Sequence, residues 1–303
     1  MKTVLLDGYS INPGDISWKP VESLVNLTCY ERSSKAEVLK RVKNADGIFV
    51  SKCLIDKEVI DSAPNLKFIG VTATGYDNID LIAAKEKGIA VYNVPSYSTD
   101  AVAQHTFALI LEISNQVGSY NQDIHSGKWY NCKDFLFYNK PLMLLSGKSL
   151  GIIGYGSIGK RVANIAKAFG MEVNIFSKDK DKTIKSDILS LHCPATKENL
   201  GFINNDFISS MKDGAILINT ARGSLLNSDD VADALNSGKL SAAGIDVLDS
   251  EPPHDNHPLI EAKNCYLTPH IAWSPMEMRL IVIDTCAKNI SDFINSEKGN
   301  RII

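Results

Sequence analysis

The stretch Gly151-Ile152-Ile153-Gly154-Tyr155-Gly156-Ser157-Ile158-Gly159 limits most strongly what this chain can fold into. An apolar run beginning at Leu150 leads into it. Lys160 to Phe169 leads out, with Val162, Ile165, Ala166 and Phe169 spaced for one helix face. Strand, tight turn and helix in that order are the context in which a G-x-G-x-x-G pattern binds a dinucleotide. Gly154 is expected to permit the turn, Gly156 to let the backbone approach a pyrophosphate, and Gly159 to let the helix pack closely on the strand. The helix N-terminus at Ser157 and Ile158 would then offer free N–H groups to the phosphates. Without that context the same glycines would be an ordinary turn.

A chain of 303 residues has room for about two domains. With 44% hydrophobic and 22% charged residues it has the composition of a globular protein with a sizeable core. A net charge of −3 gives no ground for a nucleic acid or an anionic membrane as partner and favours a small-molecule ligand. Cys29, Cys53, Cys132, Cys193, Cys265 and Cys286 are scattered, with no C-x-x-C pair and no histidine at metal-ligand spacing, so neither a disulfide framework nor a metal site is expected. A reducing cytoplasm fits that usage. The N-terminus meets Lys2 and Asp7 too early for a signal peptide, and no apolar run is long enough to span a bilayer.

Before the glycine motif, short apolar strands are expected near Thr3 to Leu6, Leu27 to Tyr30, Gly47 to Val50, Lys67 to Val71 and Ala90 to Tyr92. Helix-compatible segments such as Lys35 to Lys43 separate them. This alternation predicts a parallel sheet with helices on both faces. Ser98-Thr99-Asp100 supplies capping residues to Ala101 to Ile113, whose near-continuous hydrophobicity predicts a helix buried between layers or subunits. A second series follows from Ser149 through Glu172 to Phe176, Ile188 to Leu191, Ala215 to Asn219, Ala242 to Asp246 and Asn264 to Thr268, and Met276 to Ile294 reads as a long amphipathic helix. The expectation is an α/β protein of two doubly wound parallel-sheet domains. A Rossmann-type cofactor domain, residues 99–280, would be inserted into a flavodoxin-like substrate domain, residues 1–98 and 281–303.

Open parallel sheets bind ligands beyond the carboxyl ends of their strands, and three expected strands end on chemistry there. One leads into Thr220-Ala221-Arg222-Gly223, the next ends at Asp246 with Glu251 a few residues on, and the third at Pro269-His270. Singly, Arg222 reads as a surface ion-pair partner, His270 as a loop histidine and Glu251, before Pro252, as a turn residue. Together they suit reduction of a 2-keto acid: Arg222 to bind a carboxylate and polarise the carbonyl, His270 to move the proton, Glu251 to hold and charge the imidazole. His105, inside the apolar helix, reads as a packed and hydrogen-bonded residue, and Cys193 as an apolar wall.

Gly154-x-Gly156-x-x-Gly159, His192-Cys193-Pro194, Asn219-Thr220-Ala221-Arg222-Gly223, Gly244-Ile245-Asp246-Val247, Glu251-Pro252 and Pro269-His270-Ile271-Ala272 resemble, in this order, the D-isomer-specific 2-hydroxyacid dehydrogenases. Ala73-Thr74-Gly75-Tyr76-Asp77-Asn78-Ile79-Asp80 extends the resemblance to the first domain. It implies that Arg222, Glu251 and His270 are catalytic, that Asp246 holds the nicotinamide amide, and that backbone at Thr74 and Gly75 receives the substrate carboxylate. The cofactor site it implies takes in Gly154, Gly156, Ser157, Ile158, Gly159, Ser177, Lys178, His192, Cys193, Pro194, Thr220, Ala221, Asp246 and His270. The opening Leu6 to Asp15 and the Ile271-Ala272-Trp273 after the histidine look most like the glycerate dehydrogenase (hydroxypyruvate reductase) branch, which places Lys52 and Trp273 near substrate; a solvated loop lysine is the other reading of Lys52.

The resemblance implies hydride transfer between NAD(P) and hydroxypyruvate or glyoxylate. The alternatives are a broad D-lactate-type reductase and a dinucleotide-sensing corepressor. Two departures stand out. Sites that prefer NAD carry an acid about 20 residues past the glycines, whereas here the strand ends at Ser177-Lys178, so tolerance of or preference for NADP is expected. Only Lys178 to Lys185 then intervenes before Ser186-Asp187, where the family inserts another strand and helix. A homodimer is expected through the Ala101 helix and the aromatic segments Gly127 to Tyr130 and Phe135 to Tyr138.

Overall fold

The computed structural model describes residues 1–303, which divide into two compact units, Met1–Ser98 with Ser274–Ile303, and Thr99–Trp273. The first stretch carries β1 (Lys2–Leu5), α1 (Lys19–Glu22), β2 (Asn26–Cys29), α2 (Lys35–Val42), β3 (Gly47–Val50), α3 (Lys57–Asp61), β4 (Phe68–Val71), α4 (Leu81–Glu86) and β5 (Ala90–Tyr92). The second unit opens with α5 (Thr99–Asn115) and α6 (Val117–His125), then β6 (Ser149–Ile153), α7 (Ser157–Ala168), β7 (Glu172–Ile175), α8 (Lys180–Ile184) and β8 (Ile188–Leu191). It closes with α9 (Asn205–Ser210), β9 (Ala215–Asn219), α10 (Ser228–Ser237), β10 (Leu240–Ile245), α11 (Pro258–Glu261) and β11 (Cys265–Leu267), after which α12 (Met276–Ile294) rejoins the first unit. The return thus falls after Trp273 rather than after residue 280. Arg279, early in α12, grips Asp15 with two hydrogen bonds of 2.7 and 2.6 Å and donates to the Ile11 carbonyl, which ties that part of the helix to the first unit.

The first sheet is wholly parallel, with strand order β2-β1-β3-β4-β5, the flavodoxin-like arrangement. Strands β3 and β4, and the edge strand β5 under the C-terminal tail, are buried at every residue, which is why they appear in sequence as continuous apolar runs. Ile48, Val50, Ile69, Val71 and Val91 pack with the apolar faces of α2, α3 and α4. On the opposite face Phe49, Phe68 and Tyr92 meet ring to ring, and Phe293 of α12 closes on Phe68 with 5.3 Å between centroids. The C-terminal tail covers the edge of β5 through Ile302 N–H to the Val91 carbonyl, 2.7 Å.

The second sheet is also parallel, in the order β11-β10-β9-β8-β6-β7. Ile153, Leu191, Asn219, Ile245 and Leu267 stand in one register row, so the loops leaving these five strands open on one edge. One face buries Leu150, Ile152, Ile188, Ile216 and Ile218 with α5 and α7, the other Ile153, Leu189, Leu191, Leu217 and Ile245 with Ile208 of α9 and Val231 and Leu235 of α10. α5 lies so near β10 that a Cβ on Gly244 would stand 3.0 Å from that of Leu109. α6 has no buried residue and only Val117, Tyr120 and Ile124 at helical spacing to announce it; its first turn follows Gln116 in the left-handed conformation.

β7 is the last strand on its side. A 3-2-1-4-5-6 order would place another strand beyond it. Here the five-residue α8 carries the chain from β7 to β8 and packs on β6 and β7. It does so at contact distance: a Cβ on Gly151 would fall 2.4 Å from the Thr183 carbonyl oxygen.

Candidate active site

At the head of the second unit the glycine loop has three distinct jobs. Gly154 has φ +96°, and a Cβ there would lie 2.4 Å from the His192 carbonyl, so only glycine allows the turn and the neighbouring loop together. A Cβ on Gly159 would be 2.1 Å from the Gly154 oxygen, whereas one on Gly156 would meet nothing within 4 Å. The space over Gly156 is what a bound pyrophosphate needs. α7 starts beside it with no side-chain cap and no acid in its first turn, leaving the N–H groups of Ser157, Ile158 and Gly159 for an anion. These residues fit a dinucleotide.

Facing Gly154 is His192-Cys193-Pro194, which follows β8. His192 Nε2 meets Ser190 Oγ at 2.9 Å, and Nδ1 is buried with no partner. Burial pushes this imidazole down to about 4. Burial also raises the Cys193 thiol, which suits a wall residue rather than a nucleophile. Ser177 and Lys178 are exposed just past β7; Asp179 caps α8 through the Lys182 N–H and Lys182 pairs with Glu172, while Lys178 forms no ion pair.

The next loop is shaped by Asn219, the last residue of β9. Its Oδ1 accepts from Ala221 N–H at 3.0 Å and its Nδ2 donates to the Arg222 carbonyl at 2.8 Å, so one amide fixes both ends of the turn. Thr220 is held by Thr106 of α5 at 3.1 Å. Arg222 is half-buried, donates from Nη1 to the Ala221 carbonyl at 2.8 Å and has no carboxylate partner, which leaves most of its donor fork uncommitted.

Past β10, Asp246 is enclosed, with 1% of its surface exposed. Its carboxylate accepts from the Thr268 hydroxyl (2.6 Å) and the N–H groups of Ile271 and Ala272 (2.9 Å each), and its carbonyl accepts from His270 N–H (2.8 Å). One side chain therefore folds the loop that presents His270, itself at φ +55°. Thr268 has a single hydroxyl proton and gives it to Asp246, so His105 Nε2, 2.9 Å away, must be the donor in its own contact with Thr268. His105 is hydrogen-bonded at the site's edge, with α5 supporting two of its loops.

His270 Nδ1 meets Glu251 Oε2 at 2.6 Å, and Glu251 Oε1 accepts from Leu248 N–H at 3.1 Å. An ionised carboxylate only accepts, so Nδ1 carries a hydrogen and Nε2 is the nitrogen left to give or take a proton. Arg222, Glu251 and His270 thus leave three adjacent strands whose ends are in register. Trp273, half-buried, ends the unit.

In the first unit, Asp7 accepts from the N–H groups of Ser51, Lys52 and Cys53 at 2.8, 2.6 and 2.9 Å, and Asn78 Nδ2 donates to the Ser51 and Cys53 carbonyls from the other side. Lys52 therefore rises from a fixed loop. Thr74 is tied through its hydroxyl to Val94 and its carbonyl to Asn93, while the N–H groups of Thr74 and Gly75 have no protein acceptor. Sequence reasoning did not single out Asp7, Asn219 or Thr268 as site-builders. Asn219 at a strand end before a turn was the readable signal; the partners of Asp7 lie more than 40 positions away.

Residues 107–272 match the model of the D-isomer specific 2-hydroxyacid dehydrogenase NAD-binding domain. Hydroxypyruvate reductase of Blautia hydrogenotrophica is 43% identical over 318 aligned positions covering 99% of each chain. D-lactate dehydrogenase of Aquifex aeolicus, solved with NAD and lactic acid, superimposes with a TM-score of 0.85 at 30% identity, covering 99% of this chain and 98% of that one. An acyclic imino acid reductase solved with NADPH and D-arginine gives 0.86 at 28% identity over the whole of both chains. With the glycine cradle, the in-register Arg222, Glu251 and His270, and these likenesses together, the chain is a nicotinamide-dependent oxidoreductase of the CH–OH group and belongs to the D-isomer specific 2-hydroxyacid dehydrogenase family.

Proposed function

We propose that this enzyme reduces hydroxypyruvate, and glyoxylate as a smaller analogue, to the D-hydroxy acid. The observation that carries the reading is the 2.6 Å His270–Glu251 pair with the uncommitted guanidinium of Arg222 beside it on the neighbouring strand end. Arg222 would engage the carboxylate and carbonyl of the keto acid with a planar fork. His270 Nε2 would deliver the proton to the oxygen, with the Glu251 charge stabilising the imidazolium that does so. When bound, the nicotinamide supplies the hydride. We assign to substrate Lys52, Trp273 and the N–H groups of Thr74 and Gly75, which have no protein acceptor, and the first unit to substrate recognition. Asp246, whose enclosed side chain holds the His270 loop, is assigned to the nicotinamide carboxamide on the family resemblance. The 43% likeness to a hydroxypyruvate reductase supports that acid over a D-lactate-type substrate.

For the cofactor, our reading is that NADPH is not excluded and is preferred modestly. Ser177 removes the carboxylate that would repel a 2′-phosphate, and Lys178 is a cation without an ion pair. Exposed charge pairs are worth only about 0–1 kcal/mol, so the preference should be small. Six free cysteines fit a reducing cytoplasm as its compartment. No helix is long and apolar enough to cross a membrane.

The test is kcat/KM for a panel of 2-keto acids with NADH and NADPH, in wild type and Ser177→Asp. Hydroxypyruvate should lead the panel, and the variant should move the cofactor ratio toward NADH. A lead for pyruvate would move the enzyme to the lactate type; an unmoved ratio would remove position 177 from cofactor selection.

A further inference from the structure

The catalytic carboxylate is carried by a loop that has little apolar anchorage of its own. Between Leu248 and His257 the residues Glu251, Pro252, Pro253, His254, Asp255 and Asn256 are all exposed. Something else must fix Glu251 to within the few tenths of an ångström that a 2.6 Å contact demands.

Two features do so. His257, 8% exposed, stands at the head of α11, where its Nδ1 accepts the Leu259 N–H at 3.3 Å. Its proton is therefore on Nε2, which donates to Asp249 Oδ1 at 2.8 Å. The same oxygen accepts from Ser250 N–H at 3.1 Å, so Asp249 is bound from both directions, two residues before Glu251. Beneath this pair the loop backbone rests on Gly223. A Cβ there would be 1.9 Å from the Leu248 carbonyl carbon and 2.4 Å from the Asp249 nitrogen. Gly223 directly follows Arg222, so the loop that carries the carboxylate is seated on the turn that carries the guanidinium.

We propose that Asp249 and His257 are positioning residues that tie the Glu251 loop to the head of α11 and so set the Glu251–His270 contact. Neither takes part in proton or hydride transfer; they act by placing Leu248 N–H and the Glu251 carboxylate. A misplacement of about 1 Å at a catalytic group costs on the order of 10²-fold in rate. The proposal rests on the reading of Glu251 and His270 as the acid–base pair.

The experiment compares Asp249→Ala, Asp249→Asn, His257→Ala, Glu251→Gln and the double variant Asp249→Ala/Glu251→Gln in steady-state hydroxypyruvate reduction. It adds cofactor affinity by fluorescence titration and melting temperature. Asp249→Ala should lower kcat/KM by roughly 10- to 100-fold, mainly through kcat, with cofactor affinity and melting temperature close to wild type. Asp249→Asn keeps an acceptor oxygen for His257 and should recover activity to within about threefold. In the Glu251→Gln background the Asp249→Ala change should cost little more, since both act through one group. An equal loss in both backgrounds, or no recovery in Asp249→Asn, overturns the proposal. His257→Ala should resemble Asp249→Ala in kcat, and a His257→Ala enzyme with wild-type kcat overturns it too. If Glu251→Gln is itself as active as wild type, the acid–base reading fails, and that outcome is distinct from a failure of the loop tie.

Discussion

At the scale of single residues, the chemistry depends on which nitrogen of His270 is free. Glu251 takes Nδ1 at 2.6 Å, so in the proposed reaction the ring would present Nε2 to the substrate oxygen in one tautomer only. Removing the ring by His270→Ala should lower kcat for hydroxypyruvate by roughly 10²–10⁴-fold while leaving the cofactor dissociation constant nearly unchanged. A variant with wild-type kcat would end the assignment. Arg222, Glu251 and His270 could be singled out in the sequence because each comes after an apolar run readable as a strand of a parallel sheet, and the three lie beyond the ends of β9, β10 and β11. The residues that aim them could not be. Asp246 was visible as a strand-end acid, but its use of both carboxylate oxygens on the Thr268–Ala272 loop is a product of tertiary folding, as is the His257–Asp249 tie. Hydrogen bonds between loops leave no periodicity behind.

At the scale of elements, the strand–turn–helix around Gly154, Gly156 and Gly159 was readable almost to the residue, because each glycine answers a different steric demand. The demands separate experimentally. Gly159→Ala places a methyl 2.1 Å from a carbonyl oxygen and should destabilise the unit as overpacking does, by about 1–3 kcal/mol or more. Gly156→Ala enters open space in the unliganded fold, so its melting temperature should stay near wild type while NAD(P)H affinity by titration falls at least tenfold. If both variants melt alike and bind alike, the division of labour among the glycines is wrong. Where periodicity was weak, elements were missed. α6 buries nothing and grows from a left-handed Gln116, so the three apolar residues at helical spacing in it, Val117, Tyr120 and Ile124, were too few to mark it. α8 was visible only as a shortage of residues between β7 and β8, and its close passage over Gly151 is the physical counterpart of that shortage.

At the scale of the whole molecule, acid stability follows from titratable groups held inside the second unit. His192 has an ordinary value of 6.5 and is pushed down to about 4 by burial. The unfolded chain thus takes up a proton at this site before the folded one does. Its share of stability is complete above about pH 6.5 and is lost as pH falls toward 4, by no more than about 3 kcal/mol. For Asp187, burial alone would raise the carboxyl, but Lys212 at 2.6 Å and the Ser149 N–H and hydroxyl outweigh it and bring it to about 2, so its share is lost only below about pH 3.8. Apoprotein melting temperature between pH 7 and 4 should therefore fall more gently in His192→Gln than in wild type; parallel curves would mean the ring does not titrate as burial requires.

A different surface of the same unit is the candidate for self-association. Tyr130, Phe135, Tyr138 and Leu144 are 89%, 85%, 73% and 75% exposed, and Trp129 joins them. Single exposed apolar residues are ordinary, but several large aromatics along one segment are of the kind enriched at protein–protein contacts. We propose that this arm pairs two copies of the chain. Charge placed in the middle of such a contact would be buried without a partner and should break it. Light scattering at micromolar concentration should give twice the 33.1 kDa chain mass for wild type, and the monomer mass for Tyr130→Glu/Phe135→Glu. Both substitutions fall on exposed side chains, so the monomeric variant should keep its far-ultraviolet circular dichroism and its NAD(P)H affinity. A wild-type monomer would remove the dimer altogether, and a dimer that survives both charges would place the interface on another face.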